Sequence, residues 1–355
     1  MNFVTISAEE FREFAGNNPY KSFMQTPEIA TLREKDGWVS YYLAVKEKNQ
    51  IKAATMLVAK PTFLGKSTYI APGGPLLDLS DQKLAVFFFK HLKSFIKTHN
   101  GYQLHISPNF ELIERDRDGK PVEGGFNHQE ALITLKKLGF HPIEHSDQPK
   151  YLFVLNIEGR TPDQLFADFK NNTRNLTRRT ERMGVKVREL KKEELGIFKQ
   201  ITDDTSKRRH FTDRTLKYYE QMYDLFHDRG EVKFIIAEKD HTPLSVAMFM
   251  LYGDEVVYLF SGSDEKYMKE YNAQYAIQWY MIQHAAKHHF KRYNFYGIID
   301  LPGQTRHDGI YTFKRGFTSP TSGKVIELIG SFDLPVTPIY SLHQTLSKIK
   351  GLIKK

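Results

Sequence analysis

The chain has 355 residues, 40% of them hydrophobic and 26% charged, which is ordinary for a globular protein and enough for two cores. It contains no cysteine, which removes disulfides, thiolate zinc sites and cysteine nucleophiles. A net charge of +9 favours polyanionic partners: nucleic acid, phosphorylated substrates or an anionic membrane surface.

The first residues, Met1 to Thr5, show no basic segment followed by an apolar run, so no signal peptide is expected. Apolar runs such as Val86 to Phe89 are far too short to span a bilayer. Residues 8–16 and 26–35 read as short helices. Residues 38–46 and 51–60 alternate and read as a hairpin, and 68–70 as a strand ending in the rigid turn Ala71-Pro72-Gly73-Gly74-Pro75. A helix over 81–98, a strand over 102–106 and a helix over 127–138 ending at Gly139 close a first α/β unit near Lys150. The order then recurs. A strand over 151–157 precedes a helix over 161–182, with Thr161 as N-cap and Pro162 in the first turn. A strand at 185–190, a mostly helical stretch at 192–227, three antiparallel strands at 232–238, 244–252 and 255–262, a helix at 271–289 and a strand at 293–296 follow. No residue-level repeat links the two halves.

Several segments have the composition of a site. Lys170, Arg174, Arg178 and Arg182 are four apart, so a helix would align them as one basic stripe, and Gly184 would end it. Such a stripe suits phosphate backbone. The cluster Lys207 to Tyr219 joins arginine forks to threonine and tyrosine hydroxyls. The aromatic strand Tyr293-Asn294-Phe295-Tyr296-Gly297-Ile298 is followed, after a polar loop, by Gly309 to Phe317, in which Lys314 stands among aromatics. A lysine in apolar surroundings serves as a proton carrier or as a fixed cation for developing negative charge. Residues 341–355 read as a basic amphipathic helix of the kind that lies on anionic membranes. His141, Glu144 and His145 have a metalloprotease spacing, but Pro142 breaks the helix that would align them, so no metal is expected. Asp264 to Tyr271 has no glycine and carries Glu265 and Glu270 where a pyrophosphate loop would lie, and no Walker loop exists, so neither CoA nor ATP is expected.

The stretch Thr173-Arg174-Asn175-Leu176-Thr177-Arg178, the Lys207 to Tyr219 cluster and the Lys314 segment together resemble the Fem family of peptidoglycan-bridge aminoacyltransferases. The resemblance implies an α/β (α+β) fold of two tandem N-acetyltransferase-like (GNAT-like) domains. The first would be 1–150 plus 320–355, with the C-terminal segment returning to it, and the second 151–319. Residues 192–230 leave no room for the coiled-coil arm of longer members. The implied reaction moves an amino acid from aminoacyl-tRNA to the side-chain amine of lipid II or UDP-MurNAc-pentapeptide, without ATP, CoA or another cofactor. In that likeness Lys314 faces the reacting ester and Phe313 is its neighbour. Arg33, Tyr102, Thr212, Arg214, Tyr218 and Tyr258 would hold the acceptor, and Lys170, Arg174, Arg178 and Arg182 the tRNA. A cytoplasmic monomer touching the inner membrane face is expected. There are two departures. Ser107, in Leu104-His105-Ile106-Ser107-Pro108, stands where the family's Leu-x-x-Asp-Pro has a carboxylate, which leaves the general base open. Phe260 stands where a tyrosine occurs. The alternative readings are a non-enzymatic RNA- or membrane-binding protein on a degenerate acyltransferase fold, and a CoA-dependent N-acyltransferase.

Overall fold

A computed structural model describes residues 1–143, 148–301 and 309–353, the last seven of them as backbone only. Glu144 and His145 of the metalloprotease-like spacing lie outside the described residues. Contacts divide the chain into two units. One is Met1–Glu114, Gly124–Lys150 and Glu327–Lys355, and the other is Arg115–Glu123 and Tyr151–Ile326. The sequence reading had 115–123 and 320–326 with the first unit. Hydrogen bonds hold them in the second: Val325 N–H donates to the Asp116 carbonyl, joining the two segments, and the Arg117 guanidinium donates to the Thr318 carbonyl.

In the first unit the strands Asn2–Thr5, Val39–Glu47, Gln50–Phe63 and Lys66–Ala71 form an antiparallel meander, and Gly101–Ile106, Phe332–Pro335 and His141–Pro142 extend the sheet. Lys66–Ala71 and Gly101–Ile106 are parallel, and the crossover between them is the helix Gln82–Thr98. Asp81 caps that helix by accepting from Leu84 N–H, and Leu84, Ala85, Phe88, Phe89, Leu92 and Ile96 place its apolar stripe in the core. The parallel pair stays hydrogen-bonded to its end, Ala71 opposite Ile106.

The second unit repeats this plan. Lys186–Glu189, Val232–Lys239, Thr242–Tyr252 and Glu255–Ser263 are antiparallel, and Arg292–Ile298 then runs parallel to Glu255–Ser263. Here the parallel pair joins only Glu255–Val257 to Arg292–Asn294. Beyond that the strands part, and Arg292–Ile298 continues along Tyr151–Asn156 instead.

The structure corrects two expected helices and details a third stretch. The expected helix 161–182 is two, Pro162–Asp168 and Asn171–Arg182. Phe169 adopts an extended ψ of 143° so that its buried ring can pack on Phe166, Trp279 and Phe317, and this tertiary packing overrides helix continuation. Thr161 does cap the first piece, in a reciprocal box with Gln164. The expected helix 271–289 is Gln274–Lys287, and a separate helix, Glu265–Tyr271, precedes it and ends at Asn272 in a left-handed conformation. Within 192–227, helices Leu195–Arg209 and Leu216–Phe226 flank a loop that begins at left-handed His210. Among the described residues no long helical hairpin is present, and no helix is long and apolar enough to cross a membrane.

Candidate active site

Strand Arg292–Ile298 is irregular where the site begins. Its register against Tyr151–Asn156 shifts between Asn294 and Gly297, and Tyr296 takes a positive φ of 65°. A side chain rarely adopts that conformation, and a bulge of this kind turns backbone groups out of the ladder. Buried Asn294 supports it, accepting from Tyr296 N–H at 2.7 Å and donating to Glu255 at 3.2 Å. The carbonyls of Tyr296 and Gly297 thereby face the short helix Gly309–Arg315. The Lys314 ammonium donates to both, at 3.3 Å to Tyr296. Lys314 is 5% exposed, so its charge is held by carbonyl dipoles in a nearly dry setting, where a cation acts strongly on any charge beside it. Phe313 packs edge-on against Tyr275 and Phe317 and fills the apolar side of the helix.

Two elements fix this helix. The hairpin at Arg115–Glu123 brings Asp118, which accepts from Arg315 at 2.8 Å and from the Tyr311 hydroxyl at 3.2 Å. Burial alone would raise the Asp118 pKa; the bonds from Arg315 and Tyr311 outweigh it and hold the carboxyl below its usual range. On the other side the chain turns at Gly316, where a Cβ would lie 2.4 Å from the Thr173 hydroxyl. Only glycine lets the helix Asn171–Arg182 approach this closely, and Lys170 N–H donates to the Gly316 carbonyl at 2.9 Å. Lys170 is acidified, first by partial burial and then by Arg315 and Arg117, which marks a concentration of positive charge beside Lys314. Sequence reading missed Asp118 and Arg117. The turn residues Asp116-Arg117-Asp118-Gly119 are a hairpin signal that the sequence reading did not use, and nothing local points to the hairpin's partner.

The helix Asn171–Arg182 buries an unusual face of threonines, Thr173, Thr177 and Thr180, and turns its basic residues outward. The four-residue stripe is altered in detail. Lys170 is the non-helical N-cap residue. Arg174 folds back onto the carbonyls of Ala167 and Phe169, at 2.7 and 2.5 Å, and onto Asn171, closing the end of the preceding helix. Arg178 lies over the Phe166 ring at 5.2 Å, and Arg182 is exposed. Arg179, outside the expected stripe, is exposed as well, and among the described residues Arg178, Arg179 and Arg182 form no ion pair.

The loop 210–215 carries exposed Thr212 and Arg214, with the Arg214 guanidinium over the Tyr218 ring at 5.5 Å. Its anchor is Asp213, missed by the sequence reading. The carboxylate is 5% exposed and accepts from Tyr219 at 2.6 Å, Thr202 at 2.7 Å and Lys199 at 3.0 Å. Burial would raise its pKa; these bonds prevail and lower it. Phe260, the departure from tyrosine, packs edge-on against Tyr218 at 6.2 Å. Tyr258 is half-buried against Phe249, with its hydroxyl on Ser261, and burial pushes its pKa up to about 12.

Arg33 and Tyr102 belong to the first unit. Arg33 is half-buried near the end of helix Pro27–Glu34. Tyr102 is 1% exposed, its hydroxyl 3.2 Å from Thr62 and its ring against Phe63 and His343 of the C-terminal helix Ile339–Ile353. In this conformation Tyr102 is a core residue, closed to solvent by the C-terminal helix, and is not presented to a ligand.

Two units of one acyltransferase plan in tandem define the class of the protein. A crystal structure of FemX, 20% identical, superposes with a TM-score of 0.81 over 96% of this chain and 99% of that one. A tandem GNAT protein from the clavulanic acid biosynthesis pathway, 10% identical, matches with a TM-score of 0.55 over 95% and 99%. The FemAB family model matches residues 6–242 and 229–348, and the chain belongs to the FemAB family. The aminoacyltransferase FemA of Staphylococcus aureus is 26% identical over 425 aligned positions, covering 99% of this chain and 100% of FemA. The alignment is longer than the 355-residue chain, so FemA carries insertions that this protein lacks. The family and fold expected from the motifs are thus borne out.

Asp213 gives a test of the loop. In Asp213→Asn the bonds from Lys199 and Tyr219 lose their charged acceptor, so stability at neutral pH falls by about 1–3 kcal/mol. A carboxyl whose folded pKa is depressed stabilises above the unfolded value, so this deficit is complete above about pH 4 and shrinks as pH falls through the lowered pKa. Urea melts of both proteins across pH 3 to 7 check this. A deficit independent of pH would remove the charge from the account.

Proposed function

We propose that this FemAB-family protein is an aminoacyltransferase that moves an amino acid from aminoacyl-tRNA to the side-chain amine of a peptidoglycan precursor, lipid II or UDP-MurNAc-pentapeptide, in forming the interpeptide bridge. The observation that carries the reading is Lys314, a buried ammonium at the end of the bulged strand, in a chain of this family. The donor ester is already activated. Attack by the amine places negative charge on the ester carbonyl oxygen, and a fixed cation in a dry site stabilises that charge. Asp118 and Gly316 act through Lys314 by fixing the helix that carries it.

Supporting the tRNA side is the outward basic face of Asn171–Arg182, which begins beside the helix of Lys314. Supporting the acceptor side are Thr212, Arg214 and Tyr218, held by Asp213; an arginine fork and neutral hydroxyls suit a diphosphate. Arg33, in the first unit, has an acceptor-binding role by the family resemblance alone. The reaction is placed in the cytoplasm, at the inner membrane face. Leu342 and Leu346 of the C-terminal helix are exposed, one turn apart, in a lysine-rich segment, which suits reversible attachment to an anionic surface.

Replacing Lys314 with Met keeps bulk and removes the cation. Turnover is expected to fall by about a hundredfold or more with little change in acceptor affinity, measured with purified protein, charged tRNA and each acceptor. Near-normal turnover excludes Lys314 from the reaction. For the tRNA face, Arg178→Glu with Arg182→Glu is the informative pair, since Arg174 also closes a helix. The apparent KM for whole aminoacyl-tRNA should rise and its salt dependence flatten, while a short charged-RNA mimic is spared. Equal effects on both would assign the arginines elsewhere. Finally, Leu342→Ser with Leu346→Ser should weaken sedimentation with phosphatidylglycerol vesicles at unchanged Tm; unaltered vesicle binding removes the membrane role.

A further inference from the structure

The helix Asn171–Arg182 begins without a cap. The first turn of a helix has backbone N–H groups with no partner inside the helix, and a serine, threonine, asparagine or aspartate before it normally accepts from them. Here the preceding residue is Lys170, and no side chain caps the turn. The Asn171 side-chain oxygen, which could accept, is taken by the Arg174 guanidinium. The first bond of the helix runs from Arg174 N–H to the Lys170 carbonyl at 3.0 Å, so the amides of Asn171, Asn172 and Thr173 stand before it. Lys170, Asn171 and Asn172 are exposed, which leaves the turn open to solvent. The start of a helix is partly positive, and a lysine there adds a full charge of the same sign.

Two more cations gather at this end, both within the second unit. Lys170 N–H donates to the Gly316 carbonyl, which sets Arg315 beside it. Arg117 comes from the hairpin behind, where its Nη1 donates to the Thr318 carbonyl at 2.9 Å. Arg117 is 8% exposed, and its Nε is buried with no hydrogen-bond partner among the described residues. Asp118 Oδ1 lies 4.0 Å from that Nε, too far for a hydrogen bond, and already accepts from Arg315 and the Tyr311 hydroxyl. Both arginines are near enough to Lys170 to add to the lowering of its pKa by burial. Lys170, Arg117 and Arg315 are thus set against the single carboxylate of Asp118, and positive charge is in excess. A buried guanidinium N–H without an acceptor is costly as well. An oxyanion with several accepting oxygens answers the excess charge, the idle N–H and the uncapped amides together.

We propose that this helix start, with Lys170, Arg117 and Arg315 around it, seats one phosphodiester near the ester-bearing end of the donor RNA. The proposal rests on the aminoacyl-transfer reading above and adds where the nucleotide end lies. Two observations favour an RNA strand over the diphosphate of an acceptor. The helix has 12 residues, about 18 Å, and beyond the seat Arg178, Arg179 and Arg182 are exposed and form no ion pair among the described residues. A line of exposed cations of that length suits successive phosphates of one strand, whereas a diphosphate occupies only the seat. The seat also adjoins the reacting group. Arg315 follows Lys314 in the chain, and Lys170 is bonded to the next residue, Gly316. A phosphate held there fixes the last nucleotides while the ester they carry extends toward the Lys314 ammonium. Contacts to phosphate position a strand without reading its sequence, so Lys170, Arg117 and Arg315 are positioning residues.

The test uses the full-length protein and an uncharged single-stranded RNA ending in CCA, in which one phosphate at a time is replaced by a neutral methylphosphonate. With the wild-type protein, neutralising one linkage near the 3′ end should weaken binding by about tenfold, and its neighbours much less. Lys170→Gln, at an exposed side chain, should weaken binding of the unmodified RNA to the same degree and become indifferent to that linkage. The slope of log affinity against log salt should fall by about 0.7. Arg117→Gln should do the same; because Arg117 also holds the Thr318 carbonyl, its Tm is measured, and if that falls Lys170→Gln and the neutral linkages decide. Arg178→Glu with Arg182→Glu should keep full sensitivity to the linkage. Equal binding of every methylphosphonate RNA, or a Lys170→Gln protein with the wild-type linkage profile, overturns the seat and leaves aminoacyl transfer standing. So does a Lys170→Gln protein changed only in its KM for the acceptor, which gives the site to the acceptor's diphosphate. A protein that shows the linkage effect and transfers an amino acid to neither acceptor keeps the seat and overturns the transfer reading.

Discussion

The second unit depends on how one buried ammonium is satisfied. Taking a lysine charge out of water costs several kcal/mol unless polar groups replace the lost solvent. For Lys314 those groups include the carbonyls of Tyr296 and Gly297. In a regular strand these carbonyls would bond to the neighbouring ladder. They are available because the chain bulges at Tyr296, in a conformation disfavoured by about 1–3 kcal/mol for a residue with a side chain. Asn294, Asp118 and Gly316 each hold some part of that arrangement. The strain and the buried charge sustain one another, and a substitution that relaxes either should release the other.

The same bulge explains why units of one topology are used differently. In the first unit the parallel strands Lys66–Ala71 and Gly101–Ile106 remain paired to their ends. In the second, each strand of the equivalent pair has an irregularity at the point of separation. Leu259 is the extra residue between Tyr258 and Phe260, which pair with consecutive Phe249 and Met248, and Tyr296 is left-handed on the other strand. The two bends lie just past the last pairs, Val257 with Asn294, so the strands diverge. A split sheet exposes backbone groups and side chains at mid-strand, and Lys314 uses them.

Much of this plan was legible in the residues because it depends on local chemistry. The apolar stripe of Gln82–Thr98, the alternating hairpin Val39–Glu47 and Gln50–Phe63, and the cap at Thr161 are set within a few residues of themselves. The helix break at Phe169 was not legible, since its cause is the packing of an aromatic ring against Trp279 and Phe317. Arg174 looked like one of four equivalent cations, and only the break gave it carbonyls to close. The anchoring of Arg315 by Asp118 spans 197 residues and that of His105 by Asp333 spans 228, distances over which no spacing rule operates. Motif likeness reached Lys314 and Arg214, but not the residues that hold them in place.

Asp213 and Asp333, with side chains 5% and 16% exposed, are held by different kinds of partner. Asp213 has three strong donors, one of them a cation, and its lone pairs are committed to the loop that presents Thr212 and Arg214. A carboxylate so fully engaged has its pKa lowered and is a poor proton acceptor; it can position but not exchange. Asp333 faces an imidazole and neutral phenols, and the imidazole opens onto a hydroxyl. The difference between the two lies in the partners each carboxylate is given.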